Sequence, residues 1–89
     1  MTPSPTVRRR NGGKDLHDAL YYADLSHNGL AKRTQGVDPE GKGVSPQLIG
    51  FLLSRREWGR DTTTHRTAQL IEQALGVEPW ALFEPVADE

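Results

Sequence analysis

The groups in this 89-residue chain that could do chemistry are three histidines, twelve carboxylates and eleven lysines and arginines, with no cysteine. Acid–base catalysis needs such a group held beside a partner in a cavity. Only His17, flanked by Asp15 and Asp18, has acids close to it in sequence. So few residues enclose no apolar cavity around that cluster, and an enzyme is not expected. His17, His27 and His65 lack metal-ligand spacing and have no thiolate to join them, so no metal, cofactor or small-molecule ligand is expected. What remains is recognition of charge. Arg55, Arg56 and Arg60 follow the apolar run Leu48, Ile49, Leu52 and Leu53, and Arg8, Arg9 and Arg10 stand together near the start.

The net charge of −1 hides an asymmetry. Residues 67–89 hold Glu72, Glu78, Glu84, Asp88 and Glu89 without a base, which leaves residues 1–66 with a charge of +4. A basic face for a polyanion can be built from such a chain. No apolar run approaches the roughly 20 residues of a membrane span, and the N-terminus lacks a signal-like apolar segment, so an intracellular protein with no membrane partner is expected.

The elements that must position these groups are short. Residues 1–14 are rich in Pro, Ser, Gly and charge, which predicts a flexible basic arm. Leu16, Ala19, Leu20 and Ala23 recur at helical spacing and predict a first helix of about ten residues from Asp15. Ser26 is a good N-cap for a second helix that carries Leu30 and Ala31 and ends near Gly36. VDPEGKG, dense in turn formers, is a loop. Ser45 followed by Pro46 starts a third helix, running to about Ser54. Thr64 caps a fourth, with Ala68, Ile71, Ala74 and Leu75 as its apolar stripe and Gly76 as a left-handed stop. Pro79 starts a fifth, short turn with Leu82 and Phe83 inward. No strand is predicted. The expectation is an all-α, compact five-helix domain over 15–84, with the arm 1–14 before it and an acidic tail at 85–89.

Three segments in order carry a resemblance: LSHNGLAKRTQG at 25–36, GVSPQLIGFL at 43–52 and TAQLIEQALGVEPWALF at 67–83. Together they resemble the Cro/repressor (XRE-type) helix-turn-helix family, whose small members include repressors of actinobacterial phages. The resemblance implies a lambda-repressor-like fold and sequence-specific binding of double-stranded DNA as a transcriptional regulator. It points to a phage immunity repressor or Cro-like protein, DNA-associated in the cytoplasm of a bacterial host cell. The second of these segments would then be a recognition helix, about residues 45–54, in the major groove.

By position, Gln47 matches the family's main base-reading residue, and a Gln there can bond an adenine edge with donor and acceptor together. Ser45 and Pro46 flank it. Gly50 and Phe51 form the next exposed turn, and Phe51 can touch a thymine methyl. The alternative is that Gln47 is solvated and Phe51 a core aromatic. The resemblance puts phosphate contacts at His27, Asn28, Lys32, Arg33, Ser54, Arg55, Arg56, Arg60, Thr64, His65 and Arg66. For His65 and Arg66 there is also a physical argument. Cations at a helix N-terminus are unfavourable unless an anion sits on the exposed N–H groups. Arg8, Arg9 and Arg10 can enter a minor groove or track the backbone, as basic arms do.

Two departures from the family pattern matter. An Arg and a Glu that pair inside many members are matched here by Leu20 and Leu53, which predicts that both leucines are buried together. The loop between the second and third helices is longer by about seven residues and holds Asp38, Glu40 and Lys42, so it can flank DNA or contact a partner. Competing functions are an antitoxin-type module, for which only the acidic tail could hold a toxin, and a protein-interaction module. A homodimer reading a palindromic operator is expected, because one small helix reads too few base pairs. Its surface would be Trp80, Phe83 and Val86, unless Trp80 and Phe83 are core.

Overall fold

The computed structural model describes residues 6–54 and 62–86. Four α-helices and a three-stranded antiparallel sheet make a mixed fold rather than the expected all-α, five-helix domain. The helices are α1 (Lys14–Ala23), α2 (His27–Val37), α3 (Pro46–Leu53) and α4 (His65–Leu75). The strands are β1 (Thr6–Arg9), β2 (Thr62–Thr64) and β3 (Phe83–Pro85), in the order β2-β1-β3.

The helices form where local signals place them. Ser26 Oγ accepts the Gly29 N–H at 3.0 Å, Ser45 Oγ accepts that of Leu48 at 3.1 Å, and Thr64 Oγ1 accepts that of Thr67 at 3.3 Å. Each satisfies a donor that has no partner inside its helix. Gly76 ends α4 at φ 72°, the left-handed stop read from sequence. Leu16 of α1, Leu30 of α2, Ile49 and Leu52 of α3 and Ile71 of α4 meet in one buried core. Leu20 and Leu53 are both buried and line one cleft, in keeping with their expected register.

The sheet overturns two expectations. Within the segment read as a flexible arm, residues 6–9 are instead β1, the central strand, paired through Thr6↔Thr64 on one side and Arg9↔Phe83 on the other. Its side chains alternate, with Val7 and Arg9 buried and Thr6 and Arg8 exposed, as a half-buried strand requires. After β1, a 3-10 turn over Arg10–Gly13 leads into α1 through Asn11, Gly12 and Gly13, all at positive φ.

The fifth helix is likewise absent. Glu78–Ala81 form a turn, with the Ala81 N–H donating to Glu78 O at 3.1 Å. Trp80 at φ 69° cannot continue a right-handed helix. The chain instead reaches β3, steered by the buried Glu72, whose Oε2 accepts the Leu82 N–H at 3.1 Å. Phe83 is fully buried, while Trp80 and Val86 stay partly exposed. No helix among the described residues is long and apolar enough to cross a membrane.

Candidate nucleic-acid interface

Helix α3 divides its residues by face. Ile49, Leu52 and Leu53 are buried, whereas Ser45, Pro46 and Gln47 at its start are exposed. Gly50 is half-buried and Phe51 is 36% exposed, so Phe51 is on the surface rather than in the core. A Cβ built on Gly50 would sit 3.6 Å from His27 Nδ1, which puts the first turn of α2 against the middle of α3. His27 and Asn28 are exposed there, directly after the Ser26 cap. Base-reading and backbone-contact candidates from two helices therefore share one surface.

The long connection from α2 to α3 is folded around Asp38. Its Oδ1 accepts the Glu40 N–H at 2.9 Å, and its Oδ2 accepts those of Lys42 at 3.1 Å and Gly43 at 2.8 Å. Arg66 Nη2 donates to the same Oδ2 at 2.8 Å and to Glu40 Oε2 at 3.3 Å. The last residues of the loop lie on α2. The buried Thr34 donates through Oγ1 to Ala31 O at 2.6 Å and accepts the Val44 N–H at 2.8 Å.

These bonds favour the ionised carboxylate. The Glu40 N–H and then the Gly43 N–H, with Arg66 adding to them, outweigh burial and hold Asp38 at about 2, against its ordinary 3.8. A depressed carboxyl contributes stability that is complete above the unfolded value and drains away as pH falls through the folded one. Wild-type Tm is therefore expected to fall as the pH drops from 3.8 toward about 2. Asp38→Asn should have a lower Tm at neutral pH and a flatter acid limb in thermal melts. Equal acid limbs would mean that the ionised carboxylate does not hold the loop.

Among the described residues, most of the cations read as contacts to the DNA backbone have partners inside the protein. Arg66 belongs to the Asp38 loop, which answers the electrostatic problem at the start of α4 without a bound anion. Next to it, His65 stacks on Trp80 with ring centres 4.8 Å apart. Arg33 Nη1 donates to Ala74 O at 3.2 Å near the end of α4, where a cation suits the dipole. Arg8 and Arg10 lie 3.5 and 3.9 Å from Glu84. Arg9 is 7% exposed and donates through Nη1 to Leu52 O at 2.6 Å and to Ser54 O. Ser54 is half-buried, and Thr64 is occupied as a cap. Lys32 is exposed on α2. Arg55, Arg56 and Arg60 lie outside the described residues.

Sequence reasoning set Asp38, Glu40 and Lys42 in a loop able to flank DNA, but missed that Asp38 is the hub of that loop and that Arg9 has an internal role. The hub had a signal in Asp38-Pro39 followed by Gly41, since an Asp before Pro in a turn bonds the backbone beyond it. Among the described residues no cluster of His, Cys, Asp or Glu could hold a metal ion. No family model, curated protein or solved structure matches the chain.

Proposed function

We propose that the chain binds double-stranded DNA sequence-specifically as a transcriptional regulator, of the phage immunity repressor or Cro-like kind, with α3 in the major groove. The observation that carries this reading is the exposed first turn of α3, where Ser45, Pro46 and Gln47 face solvent while Ile49, Leu52 and Leu53 anchor the helix from behind. An α-helix with its side chains is about 10–12 Å across and the major groove about 12 Å wide, so α3 can enter it. Gln47 would read an adenine edge, and Phe51 would contact a thymine methyl. His27 and Asn28, beside α3, would hold the backbone.

Selection of bound duplexes from random DNA tests this. The wild type is expected to return a defined site, and Gln47→Ala to lose preference at one position by about 1–3 kcal/mol of discrimination. Absence of sequence-selective binding by the wild type would sink the reading. Dimerisation on a palindromic site belongs to the same proposal, with Trp80 and Val86 as the exposed apolar residues of the C-terminal region.

Binding of a protein partner is the second reading, favoured by Tyr21 and Tyr22, which are 75% and 85% exposed at the end of α1. Tyr21 lines a cleft together with His17, Leu20, Leu25 and Leu53. Exposed aromatics are enriched in protein interfaces.

A further inference from the structure

The inserted loop adds a wall to the surface beside the start of α3. Between it and the outer face of α2 runs an open groove lined by Asn28, Lys32 and Gln35 from α2 and by Lys42 and Ser45 from the loop. Among the described residues no carboxylate lines it. Two cations and three neutral hydrogen-bonding side chains therefore face one space, immediately beside the start of α3.

The Lys42 wall is fixed in advance. The Asp38 carboxylate holds the backbone N–H groups of Glu40, Lys42 and Gly43, so the base of Lys42 is set against α2 before any ligand arrives. Its side chain stays 74% exposed, with Glu40 Oε1 at 3.6 Å from the ammonium as an ion-pair partner. Glu40 is itself drawn toward Arg66 at 3.3 Å, so Lys42 shares that carboxylate with a second cation. An exposed pair of this kind is worth little and exchanges readily for a more charged partner.

We propose that this groove is a phosphate seat, in which Lys32 and Lys42 grip one stretch of the duplex backbone as α3 enters the adjacent major groove. The proposal rests on the DNA-binding reading above and gives the inserted loop its role. A ligand with repeated negative charge and little sequence character fits the lining, because lysines act as point charges on phosphate and carry no base code. The loop would then set the docking register of α3, and Gln47 would read sequence within it.

The test is an anisotropy titration of the selected duplex over a four-fold range of salt. It compares wild type, Lys42→Ala, Lys32→Ala, Lys42→Arg and, as a control, Lys14→Ala, whose ammonium pairs with Asp18 on α1. Each phosphate contact contributes about 0.9 to the slope of log K against log salt. Lys42→Ala and Lys32→Ala should each lower the slope by about that amount, so the wild type weakens about 3.5-fold more than either across the range. The preferred sequence should not change, Lys42→Arg should restore the slope, and Lys14→Ala should leave it alone. A wild type that binds its site while Lys42→Ala keeps the full slope overturns the phosphate seat and leaves the role of α3 standing. A wild type that binds no duplex overturns both.

Discussion

Arg9→Met is expected to unfold at lower urea than the wild type, with a loss of about 2–4 kcal/mol. The side chain enters from the central strand and donates to the carbonyls of Leu52 and Ser54 at the end of α3. Leu52 lies in the last turn and Ser54 is the C-cap, so no N–H within the helix remains to satisfy either carbonyl. Methionine keeps most of the apolar stem but no donor. A buried acceptor left unpaired costs about 1–3 kcal/mol, and the bonds lost had a charged donor. Packing adds to this, because Gly13, at φ 93°, lies so close that a Cβ there would be 3.0 Å from Arg9 Cδ and from Nη1.

The same variant separates two roles for this arginine. A minor-groove arm would lose DNA affinity and salt dependence on substitution while the stability stayed unchanged. The internal role predicts the reverse order: stability falls first, and binding weakens because α3 loses the tie that fixes its far end. Equal urea midpoints for Arg9→Met and wild type would return Arg9 to the surface. Against a typical stability of about 5–15 kcal/mol, the expected loss is large enough to read in one denaturation series.

How much of this was legible in the sequence follows the range of the interactions. Ser26, Ser45 and Thr64 cap helices through bonds three residues away, so a local reading finds α2, α3 and α4 close to their observed bounds. The sheet was not legible, because Thr6 pairs with Thr64 and Arg9 with Phe83 across most of the chain. Strands of three and four residues are also shorter than the usual five or six, too short for alternation to stand out. The threonine run 62–64 was the one signal, since β-branched residues fit a pleated surface. Composition misjudged residues 6–9 for a related reason. Their burial depends on partners that composition does not contain.

In the candidate site the exposed turn of α3 was legible, because helical period and a Ser-Pro start fix which side of α3 faces out. The cations were not. A run of arginines reads as a solvated or anion-seeking face, yet Arg8, Arg9, Arg10, Arg33 and Arg66 each have an acceptor within the protein. Those acceptors are backbone carbonyls and remote carboxylates, which charge patterning does not register. The DNA-binding reading therefore leans less on arginine count than the sequence suggested, and more on Gln47, His27, Asn28 and the two lysines.

Gly43→Ala is the substitution expected to do most damage at the site itself, costing about 2–5 kcal/mol. Gly43 sits at φ 66°, a conformation that costs a side-chain-bearing residue about 1–3 kcal/mol. The added Cβ would lie 2.6 Å from Gln35 Cγ, 2.7 Å from Gln35 N and 2.9 Å from Thr34 Oγ1. The Gln35 side chain can turn away, but its backbone nitrogen is fixed within α2. The loop must then retreat, which strains the Gly43 N–H bond to Asp38 at 2.8 Å and the Val44 N–H bond to Thr34 at 2.8 Å. Val44 is buried and directly precedes the Ser45 cap, so this displacement passes into the first turn of α3. Gly36→Ala supplies the contrast, because its Cβ would meet nothing within 4 Å and its φ is ordinary for a helix. That change should stabilise by up to about 1 kcal/mol through helix propensity. Urea midpoints moving in opposite directions for the two alanines would establish that the close approach of the loop to α2 holds α3 in place. Equal midpoints would mean that the loop can leave α2 without cost, and that Lys42 is not held where a phosphate could find it.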